Sequence, residues 1–256
     1  MRMPTRLCFF LIGAAGLAYL YLKGASQLPP IGHYSGPYGD DANHASVAAR
    51  HITDSVSGVN FDIRAVDTLG EEFILFTSVI GAVVFLREAY EKETADSAGK
   101  RFHEAGHTTQ ATDAVRFWTL AMTAPTVLFG CYIVLHGQLS PGGGFQGGVI
   151  LATAPLLIFL SQDYETFKRV TSNTLLELGE SLGAGSYAGI GVIALLFGMP
   201  FLTNFLPLGQ KGELLSGGII PLISFLVGLE VAGGFVLLLT AFLQHVFASP
   251  EKEDSP

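Results

Sequence analysis

Six long apolar blocks, almost free of charge, constrain this chain more than any other feature: roughly residues 7–22, 73–86, 117–135, 145–160, 182–202 and 216–243. A helix that crosses a bilayer needs ~20 mostly apolar residues, so the short second block must extend back to about Asp67. Of the charged residues, only Glu230 lies inside a block so delimited. Spanning strands would alternate apolar and polar residues over ~10-residue segments, and these runs do not alternate. The fold class expected is all-α: a polytopic integral membrane protein of six transmembrane helices, multi-pass in the cell membrane.

Charge elsewhere excludes other classes. Charged residues make up 14% of the chain, against about 25% in soluble domains. There is neither the polarity of a disordered chain nor a basic surface to hold phosphates, so no nucleic-acid partner is expected. Cys8 and Cys131 lie in apolar blocks without paired spacing and read as small packing residues.

Basic residues favour short cytoplasmic loops. With six spans and a cytoplasmic N-terminus, the inner segments hold Arg2, Arg6, Arg87, Lys92, Lys100, Arg101, Arg116, Lys168, Arg169 and Lys252, whereas the outer ones hold Lys23, Arg50, Arg64 and Lys211. Both termini are therefore expected in the cytoplasm. Arg2 and Arg6 before the first block also fit a secretory signal, but Lys23, Gly24, Ala25 and Ser26 make a weak cleavage site, which favours a retained anchor. Acidic residues gather on the outer side, in Asp40, Asp41, Asp54, Asp62, Asp67, Glu71, Glu72 and Glu213, where they attract cations.

A polar stretch without apolar period divides the chain. It places a two-helix membrane unit with an external loop at residues 1–95, a cytoplasmic linker at 96–112, a four-helix membrane unit at 113–248 and a polar tail at 249–256. Within the external loop, Val47, Arg50, His51 and Asp54 recur at helical spacing and suggest a short surface helix.

Four local patterns could carry chemistry. His103-Glu104-Ala105-Gly106-His107 matches the HExxH zinc signature, yet Gly106 interrupts the helix and no third ligand follows. No catalytic zinc, other metal or cofactor is expected. Gly142, Gly144 and Gly147 fit GxGxxG, but a membrane block rather than a strand precedes them. What remains is a backbone hairpin at the membrane surface, built from His136, Pro141, Gly142, Gly143, Gly144, Phe145, Gly147 and Gly148 and expected to touch a neighbouring subunit.

Thr68 and Glu71 form a capping box that starts a helix. Asp67, Thr68, Glu71 and Glu72 then either complement the helix dipole or gather cations at the mouth of a span, and both roles are compatible. Glu230 sits about halfway along the last block, where a carboxylate costs ~2.5–3.5 kcal/mol and usually pairs or marks an ion path. The alternative is a structural Glu bonded across a helix interface. Gly233 and Gly234 share its face, and Gly185 and Gly189 form a GxxxG packing face in the fifth span.

The stretch LFGCYIVLHGQLSPGGGFQGGVILATA resembles the signature of the B subunit of Mrp-type multisubunit Na⁺/H⁺ antiporters, and LVGLEVAGGFVLLL resembles that family's last span. NFDIRAVDTLGEEFILFTSVIGAVVFLR is similar to the E-type subunit of membrane-bound hydrogenases, which also forms the C-terminal portion of the antiporter A subunit. The chain thus looks like an E-like unit fused to a B-like unit, a departure from the usual arrangement. The resemblance implies a noncatalytic subunit that works with other membrane subunits, exchanging Na⁺ or another cation for H⁺. Asp67, Thr68, Glu71, Glu72 and Glu230 would then fall in its carboxylate regions. The same fold in the membrane arm of an energy-converting hydrogenase or complex I-like machine is the alternative, and a purely structural subunit is a third.

Overall fold

A computed structural model describes residues 3–28, 32, 36–96, 111–162 and 164–247. These are helical without strands among the described residues, as expected, and six helices are long and apolar enough to cross a membrane. The HEAGH motif and most of the linker lie outside the described residues.

Residues 1–40 and 41–256 form two separate compact units. The first carries α1 (Met3–Ser26), whose described side chains are exposed throughout and whose last turn holds Lys23, favourable at the negative end of the helix dipole. The short α2 (Tyr38–His44) leads into a π-helical turn at Ala45–Ala49. The helix expected through Val47, Arg50, His51 and Asp54 breaks at 50–54: His51 takes a positive φ of 57°, and Asp54 instead caps α3 (Ser55–Gly58), its side chain accepting from Ser57 N at 3.0 Å. Asp and Asn side chains bond nearby backbone N–H groups in this way. A second π-helical turn, Val59–Ile63, follows.

The remaining spans are α4 (Ala65–Asp96), α5 (Asp113–Leu135), α6 (Gly144–Ser161), α8 (Asn173–Leu196) and α9 (Ile220–Phe247), with the short α7 (Tyr164–Val170) between α6 and α8. The α4 helix starts three residues before Thr68, so the expected capping box does not form: Thr68 lies inside the helix, and the preceding π-helical turn already sets its start. The fifth span also shifts towards the N-terminus. It ends at Leu196 in a Schellman motif, with Met199 N bonded to Ala194 O at 3.0 Å, Gly198 N to Leu195 O at 2.9 Å, and Gly198 at φ +73°. Pro200 and the buried Leu202 consequently belong to the loop.

Helix α9 is the hub. Some 56% of its span is buried, against 11% for α5, and it packs on α4, α6 and α8, with α5 mainly on α6. Ile219, Ile220, Ile223, Val227 and Val231 of this region form the core with Tyr187, Ile190, Phe61 and Ala65. Arg87 pairs with Glu177 at 3.1 Å, and Arg116 Nε donates to Ser161 O at 3.0 Å, gathering the helix ends on one face. On the opposite face, Thr53 N donates to Gln138 O at 3.1 Å and Asn204 bonds both Gly217 O at 2.8 Å and Ile219 N at 3.0 Å, tying three loops together. These are called the linker face and the loop face.

Candidate functional site

The glycine-rich segment is a turn followed by a helix rather than a hairpin throughout. Residues 136–143 turn, with Gly142 and Gly143 at φ +150° and +124°, and Gly144 already begins α6. Only glycine adopts such φ values without strain. A Cβ on Gly144 would overlap Ser224 O and lie 2.8 Å from Gly228 N; one on Gly147 would meet Val134 N at 2.8 Å, and one on Gly148 would meet Gly228 O at 2.9 Å. The close approaches at these helix positions are to the chain's own α5 and α9. His136 stacks on Tyr132 at 4.1 Å, whereas Pro141 and Phe145 are exposed.

The second group of residues lies where α4, α8 and α9 meet. In α4, Ala65, Thr68, Glu72 and Val79 are buried, a spacing of three, four and seven that follows one helix face. Asp67 and Glu71 point away: both are exposed, and Asp67 pairs with Arg64. Of the four residues expected at this mouth, the fold therefore carries only Thr68 and Glu72 inward.

Glu230 meets Glu72 there, and also Glu180, which the apolar blocks leave out. Glu72, Glu180 and Glu230 are 2%, 3% and 1% exposed. Glu72 and Glu180 both act electrostatically on Glu230. Glu72 Oε2, Glu180 Oε1 and both carboxylate oxygens of Glu230 have no hydrogen-bond partner among the described residues. A buried polar atom left so costs ~1–3 kcal/mol, and a buried charge without a partner costs more.

Glycines create the room. Gly183 faces Glu230 so closely that its Cβ would lie 2.6 Å from Glu230 Cβ, while Gly233 and Gly234 face Glu180, with would-be Cβ distances of 3.4 Å to its Cβ and 3.1 Å to its Oε1. Each Glu thus rests on a glycine of the other helix. The expected GxxxG pair plays no such part: nothing lies within 4 Å of a Cβ on Gly185 or Gly189. A signal for Glu180 exists in Gly179 and Gly183 flanking it, but the acidic edge of LLELGESLG hides it, and the apolar block begins only at Leu182.

Residues 114–237 match the family model described as a domain related to the MnhB subunit of Na⁺/H⁺ antiporters. An uncharacterized protein of Methanocaldococcus jannaschii is 30% identical over 235 residues, covering 87% of this chain and 88% of its own length. The B-type subunit of the Na⁺/H⁺ antiporter of Bacillus subtilis is 35% identical over 107 residues, 40% of this chain and 73% of that protein. Among solved structures, a chain of the membrane-bound sulfane sulfur reductase, an archaeal respiratory membrane complex, superposes with a TM-score of 0.71 at 25% identity, over 98% of this chain and 100% of that one. A chain of the Mrp complex from a Dietzia species shares the fold, with a TM-score of 0.66 at 19% identity over 97% of this chain and 27% of its own. The sulfane sulfur reductase match covers 98% of this chain and 100% of that one, so a single polypeptide there carries counterparts of both the N-terminal segment and the later helices. On the extent of these sequence matches, the chain belongs to the family of proteins related to the MnhB subunit of Na⁺/H⁺ antiporters.

Proposed function

We propose that this chain is a noncatalytic membrane subunit of a multisubunit antiporter that exchanges Na⁺, or a similar cation, for protons, and that Glu230 and Glu72 lie on its ion route. The observation that carries this reading is the set of buried carboxyl oxygens without partners at the meeting of three spanning helices. The relatives named as antiporter subunits support the cation and the complex. In this role Asp67 and Glu71, exposed at the head of α4, would draw cations towards the loop face. Pro141 and Phe145 are the parts of the glycine-rich turn left to meet a neighbouring subunit.

A second reading places the chain in the membrane arm of a redox-driven complex. It is favoured by the full-length superposition on a subunit of a respiratory membrane complex. Affinity purification from native membranes separates the two. Co-purification with other polytopic subunits, together with collapse of a proton gradient on Na⁺ addition in everted vesicles, is the outcome expected of an antiporter. Co-purification with iron–sulfur subunits, and no cation-dependent proton movement, would give the second reading.

The orientation proposed puts the linker face, with Arg87, Arg116, Lys168 and Arg169, in the cytoplasm. In a cysteine-free background, a membrane-impermeant thiol reagent added to intact cells should label cysteine at position 140 and spare one at 104. Labelling of 104 alone would reverse the orientation.

A further inference from the structure

Between the loop face and the linker face, polar groups recur at steps of about one helical turn along the seam of α4, α8 and α9. At the loop face, a cleft of about 340 Å³ is lined by Asp62, Arg64, Ala65, Asp67, Phe201 and Leu202. The carbonyl oxygen of Ala65, one of its lining residues, accepts from the hydroxyl of the fully buried Tyr187 at 2.9 Å. Thr68 lies buried one turn further along the same face of α4, and Glu72 one turn beyond that. Val79 of α4 faces Gly234 of α9, 3.4 Å from where a Cβ would stand, which sets Glu72 level with Val227, about one turn of ~5 Å before Glu230. Glu180 rests against Gly233 and Gly234, one turn past Glu230. Glu177, paired with Arg87, closes the series at the linker face.

Neighbours in the series act on one another in the same order. Tyr187 interacts electrostatically with Glu72, Glu72 with Glu230, Glu230 with Glu180, and Glu180 with Glu177. We propose that protons cross the bilayer within this chain, along the file Tyr187, Thr68, Glu72, Glu230, Glu180 and Glu177, entered from the cleft at the loop face. This rests on the antiporter reading and assigns one of its two ions to this seam. Each transfer breaks one O–H bond and makes the next, so every carboxyl takes up one proton and releases one, with no other reactant.

The arrangement suits a proton, which needs one acceptor at a time: the buried carboxyl oxygens of Glu72, Glu180 and Glu230 follow one another along the seam without hydrogen-bond partners among the described residues. The glycines opposite Glu180 and Glu230 bring the helix backbones close, leaving the seam narrow.

Glu180 is the informative position, because the antiporter reading does not depend on it. In everted vesicles holding the assembled complex, Glu180→Gln should lower cation-dependent proton movement roughly 100-fold, the lower end of the scale on which positioned proton-transfer groups act, and Glu180→Asp should keep a measurable part. An assembled Glu180→Gln complex that exchanges at the unmodified rate overturns the file and leaves the antiporter reading standing. Unmodified complexes that move no protons in response to cations overturn that reading instead. In that case, or if Glu180→Gln does not assemble, the unmodified complex is treated with dicyclohexylcarbodiimide, which adds to protonated carboxyls in apolar surroundings. Adducts at Glu72, Glu180 or Glu230 found by mass spectrometry support the file, and the absence of adducts at all three overturns it.

Discussion

Glu230→Gln should leave the complex assembled and lower cation-dependent proton exchange in everted vesicles by roughly 100-fold. The substitution is nearly isosteric, and neither oxygen of Glu230 has a hydrogen-bond partner among the described residues, so little structure is lost with the carboxylate. What is lost is the ability to bind and release a proton. A carboxylate this deep must be neutralised by a proton, a cation or a partner charge, and the side chains that act on it electrostatically, Glu72 and Glu180, are themselves acidic. Glu230→Asp draws the carboxyl back by one carbon–carbon bond, about 1.5 Å, and should retain part of the rate. Exchange at the unmodified rate in Glu230→Gln would make Glu230 a structural residue and move the ion route to another subunit.

Gly144→Val should abolish accumulation of the chain in the membrane. The new side chain would overlap the carbonyl oxygen of Ser224 and crowd Gly228 N and Val227 Cβ, and two of these three neighbours are backbone that cannot rotate away. Overpacking that side chains can absorb costs ~1–3 kcal/mol; here α6 and α9 must separate, against a total stability of ~5–15 kcal/mol for a typical protein. Gly185→Val, where nothing stands within 4 Å, is the control and should leave the melting temperature of the detergent-solubilised chain unchanged. Normal accumulation and melting of Gly144→Val would show that the α6–α9 approach is not required.

The spans were legible because a run of about 20 apolar residues has few alternatives to a membrane helix. Glu230 was legible for the same reason, as a charge inside such a run. Glu180 was not: two glutamates near the start of α8 look like the edge of a span until the opposing glycines of α9 are seen, and the pairing of helices is written in no local period. The glycine-rich segment announced that some backbone must come close, but its partner surface around Ser224 and Gly228 lies about 80 residues later in the chain. Thr68 and Glu71 matched a capping pattern that the fold set aside, because a π-helical turn upstream fixes the start of α4.

The hub position of α9 bears on how the chain is made. It leaves the ribosome after α4, α6 and α8, yet all three bury their faces on it. At ~5–20 residues per second, the segment from Leu196 to Phe247 takes seconds to synthesise. During that interval α8 stands in the lipid with Glu180 uncovered, while α5 and α6 can already pair as a hairpin. A nascent chain arrested before Ile220 would therefore be a loose set of inserted helices with an acidic group facing lipid, the kind of species that membrane quality-control proteases remove. Maturation of the bundle therefore waits on α9, and any change that hinders its insertion acts on each helix that packs against it.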